Sequence, residues 1–383
     1  MYKHSIRYLL GIVIFFIYLF LSVYESYIDE LFVNITRPYL ILFTLYMFLN
    51  MRVKSIGVNQ LNLALWLVFY YITLLWTPNL HQASLYVGTV SIMCLITIIS
   101  ENCFFPKPFV DVTVGMYKWL SISMGILGVF FSEPLNVNNT VRMVLTLGDI
   151  QPDPNNLVVL YAVGSGLALV SIRKNEKHIL INIAAFLINS YCILITGSRS
   201  GILILAVQLL IWLFFISSNM NKALKCVVVA TIILLIGHVM RNYISYDTIE
   251  RLFGLGDLAF VDGTGREDKW RDAINFFKNS PIVGNGWGSY PCHNTFLTLL
   301  VDVGLVGFAL FALYIVRLLI KIIKYREYTA LMIIVPGFIQ AILLDAQNKR
   351  FFWNAIILAV LILNTYVANN KYSAIDQKNT NNY

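Results

Sequence analysis

The chain has 383 residues, of which 58% are hydrophobic and only 13% are charged, whereas soluble domains carry about 25% charged residues. Its mean hydropathy is +0.72, which excludes an ordinary soluble enzyme and leaves little chain for a separate soluble domain. The formal net charge of +8 does not indicate a nucleic-acid partner, because the cations are distributed over many segments rather than gathered in one basic patch.

Apolar runs of about 20 residues recur along the chain, and each is long enough to cross a hydrocarbon core of about 30 Å as a helix. They predict an all-α polytopic membrane protein, with one membrane domain over residues 1–383 and about twelve transmembrane helices. The first run is too long for the apolar core of a signal peptide, so we expect it to remain as a span. The predicted spans are approximately 6–24, 32–50, 59–76, 84–101, 112–131, 157–172, 179–196, 201–217, 223–240, 294–316, 328–345 and 351–368.

The distribution of lysine and arginine predicts how these spans are oriented. If both termini are inside, the inner segments carry sixteen cations and the short outer loops carry five. Short cytoplasmic loops are enriched in Lys and Arg, so we expect cytoplasmic termini, including a cytoplasmic tail over 369–383. The segments 132–156 and 241–293 are then extracytoplasmic, and the second is a long loop before the tenth span.

The long outer loop is predicted to contain a short amphipathic helix. Between Glu267 and Asn279, the apolar residues Trp270, Ile274 and Phe277 recur at helical spacing, so this helix would lie on the bundle. The sequence GNGWGSY, residues 284–290, follows no strand and lacks the lysine of a phosphate-binding loop. We interpret it as a flexible connection that leads into the site.

Arg199 lies in the short connection TGSRSG between the seventh and eighth spans. Its guanidinium group must stay near the outer interface, because moving it towards the apolar core costs roughly 2.5–3.5 kcal/mol unless it is paired. Its five donors suit the oxygens of a phosphate group, and the flanking glycines would allow close approach of the backbone. The alternative is an arginine that extends to lipid head groups.

Arg266 follows two glycines in the sequence DGTGRED. Glycines permit an unusual turn at this point, just before the predicted amphipathic helix. Arg266 either binds substrate or pairs with Asp262 or Asp268, since exposed ion pairs are common and contribute little to stability. Its position relative to His293 favours the substrate role.

His293 precedes Asn294, a favoured N-cap residue, and should therefore stand at the mouth of the tenth span. The partial positive charge of a helix N-terminus favours a neutral imidazole there, and a neutral imidazole can accept a proton from a sugar hydroxyl. A hydrogen-bonded structural histidine is the alternative interpretation. His81, in an outer turn, is the rival base.

Several further residues allow two interpretations. Asp153, in the turn PDPNN, either orients a sugar hydroxyl or caps the following helix, and the cap is favoured. Trp270 and Trp287, beside the predicted site, are candidates for stacking on sugar faces. Asp302 lies in the tenth span and Lys118 in the fifth, and a charged side chain within the membrane costs free energy unless it is paired. We therefore expect these two to pair with each other rather than to form a proton relay.

The order of these segments resembles the O-antigen ligase and polymerase superfamily of bacterial membrane glycosyltransferases. The resemblance rests on TGSRSG before an apolar span, followed by TGREDKW, GNGWGSY and HNTFLTLLVDVGLVGFALF, and on twelve spans with a long outer loop before the tenth. It implies a membrane glycosyltransferase C type of fold in the bacterial cytoplasmic (inner) membrane. It also implies an active site that faces the periplasm or the cell exterior.

The same resemblance implies substrates, partners and residue roles. The substrates would be oligosaccharides linked to undecaprenyl pyrophosphate, used without a nucleotide sugar, cofactor or metal, and a chain-length regulator would be the protein partner. Arg199 and Arg266 would hold the pyrophosphate, while His293 would assist the acceptor hydroxyl. The wider substrate-binding set would comprise Arg199, Arg266, Asn294, Trp270, Trp287 and Asp153.

Two activities within this family remain open, together with one outside it. A polymerase extends another lipid-linked repeat unit, whereas a ligase transfers the finished glycan to lipid A core. The pattern HNTFLTLLVDVGLVG resembles the polymerases more, although these often carry glutamate where this chain has Asp302. A transporter of lipid-linked sugars would place polar residues along a midplane cavity and often shows inverted repeats; here the polar residues concentrate at the outer rim.

Overall fold

The computed structural model describes residues 6–31, 35–52, 57–137, 140–173, 178–216 and 266–380, together with isolated positions between 225 and 237. Most of the described chain is helical. A 3-10 turn, Thr73–Leu75, extends α4, and a π-helical turn, Trp212–Ile216, extends α9. The helices are α1 (Ile6–Val23), α2 (Glu25–Leu31), α3 (Thr36–Leu49), α4 (Val58–Ile72), α5 (Leu80–Ser100), α6 (Lys107–Phe131), α7 (Pro154–Arg173), α8 (Ile179–Ile195), α9 (Arg199–Ile211), α10 (Arg266–Phe277), α11 (Thr295–Lys324), α12 (Tyr328–Leu343) and α13 (Arg350–Thr380).

Within the described residues, seven helices are long and apolar enough to cross a membrane, and four further apolar helices are shorter. The chain is therefore a multi-pass membrane protein. The predicted spans overlap these helices except for 223–240, which falls largely outside the described residues, as does the first part of the long loop, 241–265. The total of twelve spans stays a prediction.

Helix α7 lies at the centre of the bundle and is buried at nearly every position. Small residues allow its neighbours to come close, as is common between helices in membranes. A Cβ atom at Gly166 would lie 2.3 Å from Nε2 of Gln208, and one at Gly164 would lie 3.0 Å from Oδ1 of Asn189. The polar side chains of α8 and α9 therefore occupy the space that these two glycines leave.

The predicted outer segment 132–156 contains a β-hairpin, which the all-α prediction missed. Strand β1 (Ser132–Val137) pairs antiparallel with β2 (Thr140–Leu145), and Ser132 lies opposite Leu145. A hairpin of two short strands is marginal by itself in water, so its packing on the ends of the helices decides that it forms. Hydropathy along the chain carries no record of that packing.

The predicted outer segments lie together at one end of the bundle. Arg142 of β2 is buried, and its Nε donates to the carbonyl of Thr196 at 2.7 Å, which joins the hairpin to the end of α8. Nη2 of Arg350, at the start of α13, lies 3.3 Å from Oδ2 of Asp29 in α2. This shared end agrees with the predicted alternation of the spans, while its orientation in the membrane stays a prediction.

Candidate active site

Helix α11 is broken at Gly304, and the break holds the preceding segment in place. Gly304 has φ +61° and ψ −168°, far from helical values. The N–H groups of Leu305 and Val306 consequently donate to the carbonyls of Pro281 and Ile282, at 2.9 and 3.1 Å. These bonds replace those lost from the helix, as a non-helical backbone buried in a membrane protein requires.

The glycine loop, residues 284–289, supplies the matching donors. The N–H groups of Asn285 and Gly286 donate to the carbonyls of Val301 and Asp302, at 2.9 and 3.0 Å. These are carbonyls that the break in α11 leaves available. The prediction that this segment is a flexible connection is therefore wrong, because its backbone is paired on both sides of the break.

Asp302 fixes the last part of the glycine loop. Its carboxyl group accepts the N–H groups of Gly288 and Ser289, both at 3.1 Å, and the Ser289 hydroxyl at 3.0 Å. The hydroxyl of Tyr70, from α4, donates to it at 2.8 Å. Four neutral donors thus satisfy this fully buried group.

The expected pair between Lys118 and Asp302 is not formed, so that prediction is wrong. Lys118 Nζ donates to Ser171 Oγ at 3.0 Å and to Asn182 Oδ1 at 3.3 Å. Both acceptors belong to helices beside α6, and they accommodate the lysine within the bundle. The two ionisable residues therefore have separate structural roles.

Trp287 packs inside the protein instead of facing a substrate. It is 1% exposed, and its ring stacks on that of Tyr70 with centroids 3.8 Å apart and an interplanar angle of 18°. It has no exposed ring face for a sugar, so the predicted stacking role is wrong. Burial against α4 decides its role.

The amphipathic helix predicted in the long loop is present as α10, but the face that it buries differs from the expected one. Ala273 is fully buried, and Trp270 and Phe277 pack beside it in a small apolar cluster with Cys292. Ile274, by contrast, is 49% exposed. The helix is therefore rotated so that a small residue meets the bundle, and the half-buried Trp270 contributes to packing.

His293 lies immediately before α11, with charged groups near both nitrogens of its ring. Its backbone N–H donates to Asp345 Oδ2 at 2.9 Å, and Nδ1 lies 3.7 Å from the same oxygen. Nε2 lies 3.0 Å from Nζ of Lys269 in α10. The backbone of His293 has φ +58°, which is uncommon for a residue other than glycine and indicates a conformation imposed by its surroundings.

The start of α11 is held by the segment that follows α12. Asn294 is the N-cap, as predicted, and its Oδ1 accepts the N–H groups of Phe296 and Leu297, both at 3.1 Å. Thr298, one turn into the helix, donates from Oγ1 to Asp345 Oδ1 at 2.6 Å. Asp345 therefore connects the backbone of His293 to the first turn of α11.

The surroundings of His293 favour its neutral imidazole form. Partial burial lowers its pKa from the ordinary 6.5, and the positive charge of Lys269 lowers it further. Asp345 acts in the opposite direction. The charges of Arg266 and Asp153 also affect this pKa, the first lowering it and the second raising it, so both residues lie within electrostatic reach of the ring.

Arg199 is exposed at the first residue of α9. The loop before it is tied to the start of α7, because Ser198 Oγ donates to Asn155 Oδ1 at 3.1 Å. Asp153 caps α7, as favoured, since its Oδ1 accepts the N–H of Asn155 at 2.8 Å. The residue before Arg199 is therefore tied to the start of α7, where Asp153 lies within electrostatic reach of His293.

Lys269 and Asp345 were not predicted as partners of His293. Lys269 is one turn after Arg266 on the predicted amphipathic helix, and that spacing was a usable signal. Asp345 is an acidic residue at the end of an apolar span, 52 positions from His293, and nothing local connects the two. His81, the rival base, is exposed at the start of α5.

Residues 184–312 match the family model described as O-antigen ligase. The chain is similar to the O-antigen ligase family over this region. The matched residues run from α8 through Arg199, Arg266 and His293 into the second half of α11. The match confirms the predicted resemblance to the O-antigen ligase and polymerase superfamily. A comparison with curated proteins gives no significant match.

Proposed function

We propose that this chain is a membrane glycosyltransferase that joins lipid-linked repeat units into a polysaccharide. It transfers a glycan from undecaprenyl pyrophosphate to a sugar hydroxyl of another lipid-linked unit. The observation that carries the proposal is the contact of Lys269 with His293, with Arg266 within electrostatic reach of the ring, inside the segment that matches the O-antigen ligase family. The proposal places this end of the bundle at the extracytoplasmic face.

His293 acts as the general base in this proposal. In the tautomer that carries its proton on Nδ1, on the side of Asp345, Nε2 has a lone pair, and Lys269 Nζ lies 3.0 Å from this nitrogen. The acceptor hydroxyl takes the place of Lys269 and transfers its proton to Nε2 as its oxygen bonds to the anomeric carbon. The bond from that carbon to pyrophosphate breaks, its electron pair leaves with the pyrophosphate, and the configuration is inverted.

The cations at this end stabilise the leaving group. Negative charge grows on the pyrophosphate as the bond breaks, and fixed positive groups aimed at that charge lower the barrier. Lys269, released from His293, and Arg266 are nearest to the reacting carbon in this proposal. Arg199, at the N-terminus of α9, combines a guanidinium group with the positive end of a helix, which suits a phosphate.

A ligase reaction would use the same groups with lipid A core as the acceptor, so His293, Arg266 and Arg199 do not distinguish the two activities. The polymerase is preferred because the sequence HNTFLTLLVDVGLVG resembles the polymerases more. A transporter is less well supported, since the charged groups described around His293 gather at one end of the bundle rather than along a midplane cavity.

The test is a turnover assay with the purified protein in nanodiscs and a lipid-linked repeat unit, without lipid A core. Wild type should produce a ladder of longer glycans and release undecaprenyl pyrophosphate, and His293→Ala and Arg199→Ala should lose the ladder. His81→Ala is the matched control, because it removes an exposed histidine and should leave the ladder intact. A product that requires added core would establish the ligase, and no product from a verified substrate would contradict the enzyme proposal.

A further inference from the structure

An open surface cavity of about 390 Å³ lies along an exposed side of α10, between this helix and Tyr290. Its volume is within the range of about 300–1,000 Å³ that small-molecule sites occupy. Asp272, Asn275 and Asn279 recur at spacings of three and four residues, so they follow one face of α10 and the turn after it. The lining consists of Asp272, Asn275, Phe276, Asn279 and Tyr290.

The chemistry of this lining matches a sugar better than an anion or a metal. One carboxylate and two carboxamides provide both acceptors and donors for hydroxyl groups. Phe276 and Tyr290 add a half-buried aromatic surface, with ring centroids 5.8 Å apart and planes tilted by 32°. The negative charge of Asp272 disfavours a phosphate, and a single carboxylate is a poor cage for a divalent cation.

Two contacts orient the polar groups of the cavity. The hydroxyl of Tyr290 donates to Asp272 Oδ2 at 3.4 Å, and partial burial together with the charge of Asp272 raises the pKa of this phenol, which keeps it protonated. Lys278 Nζ donates to Asn275 Oδ1 at 3.2 Å. That bond leaves the amide nitrogen of Asn275 as the donor for a ligand hydroxyl.

The cavity is placed to hold the sugar next to one that reacts at His293. Asp272 follows Lys269 by three residues on α10, a rise of about 4.5 Å along the helix axis, and Lys269 contacts His293 at 3.0 Å. Tyr290 is three residues before His293 on the other side of the cavity. A glycan with one hydroxyl at Nε2 of His293 would therefore run along the same side of α10 towards the cavity.

We propose that this cavity is a glycan subsite that binds the acceptor chain beyond its reacting sugar, through Asn275, Asn279 and Asp272 with Phe276 and Tyr290 as an apolar surface. The inference rests on the proposed transfer function. It explains how an acceptor glycan that reacts at the half-exposed His293 is held in position. It also assigns the selection of the acceptor sugar to α10.

The test compares Asn275→Ala/Asn279→Ala with Arg271→Ala, a control on the same helix whose exposed side chain pairs with Asp268. The probes are fragments of one to four repeat units, cut from the polysaccharide of the producing cell and free of lipid. Loss of two hydrogen bonds should weaken fragment binding about tenfold and raise the acceptor KM by a similar factor, while kcat changes less than about twofold. Tyr290→Phe should give a smaller rise in KM.

The outcomes separate the subsite from the transfer reaction. His293→Ala should bind the fragments as wild type does while its turnover is lost. Fragment binding and acceptor KM in the double variant that equal those of Arg271→Ala would overturn the subsite even if turnover is normal. Fragments that bind wild type but not the double variant, with no turnover by either, would support the glycan site and contradict the transfer proposal.

Discussion

The glycine loop and His293 are close in sequence but have opposite environments. Trp287 in the loop is 1% exposed, whereas the His293 side chain is 42% exposed. The carboxyl group behind the loop, Asp302, accepts only neutral donors, while Asp345 faces an imidazole. A buried frame, formed by the glycine loop and Asp302, thus supports a half-exposed rim, formed by His293, Lys269 and Asp345.

The difference has an energetic reason. A buried polar group left unpaired costs about 1–3 kcal/mol, so the groups around Asp302 cannot exchange their hydrogen-bond partners without that cost. At the rim, water or a substrate replaces a lost partner, so Lys269 is able to exchange one partner for another. The frame therefore controls stability and the rim controls reactivity, and the following variants test that division.

The largest effect is expected from Gly284→Ala in the frame. Gly284 has φ +79°, and a Cβ atom there would lie 2.2 Å from the carbonyl oxygen of Asp302, so the loop must detach from α11. We expect a loss of more than about 4 kcal/mol or failure to fold, measured by thermal unfolding in detergent. Gly148→Ala is the control, with φ +64° but open space around it, and should cost about 1–2 kcal/mol. Equal stability of the two variants would contradict a packed loop.

The next effect is expected from His293→Ala on the rim. Loss of a general base should reduce the transfer rate by about 10²–10⁴, with the midpoint of thermal unfolding nearly unchanged because the side chain is half-exposed. Single-turnover rates with a labelled lipid-linked repeat unit measure the loss. A stability loss that accounts for the fall in rate would show that His293 belongs to the frame instead.

A matched pair of substitutions compares the two carboxyl groups directly. In Asp302→Asn, the new amide NH₂ group is a donor and faces groups that donate to Asp302 in the wild type. We therefore expect a loss of stability of about 1–3 kcal/mol. Asp345→Asn, which is nearer the surface, should reduce the transfer rate more than the stability. Unfolding midpoints and rates measured on both variants check the contrast, and a reversed pattern would reject the assignment of frame and rim.

The smallest effect concerns the pH dependence of transfer. Burial and Lys269 lower the pKa of His293, so the base is neutral above that pKa and the rate should fall only as the pH drops below 6.5. Lys269→Ala removes a positive neighbour, so the pKa should rise and the acid limb should move to higher pH. Asp345→Asn should move it to lower pH. Midpoints of rate profiles between pH 5 and 8 measure both shifts, and an unmoved midpoint in Lys269→Ala would exclude His293 as the titrating base.

Local features were predictable from the sequence alone. The apolar runs predicted helices because a helix satisfies its own backbone within lipid, whatever its neighbours are. The caps at Asp153 and Asn294 were predictable for the same reason, since a cap acts on N–H groups two or three residues away. The resemblance to the ligase family followed from the order of short segments, and it pointed to Arg199, Arg266 and His293.

The sequence by itself thus determined a multi-pass helical chain and the residues at the start of α11. Only the tertiary structure decided that Asp345 supports His293, that donors from the glycine loop and α4 rather than Lys118 satisfy Asp302, and that Trp287 is enclosed by α4. These outcomes depend on contacts between segments far apart in the chain. Hydropathy and capping act over a few residues, whereas the packing of helices selects which distant polar groups meet.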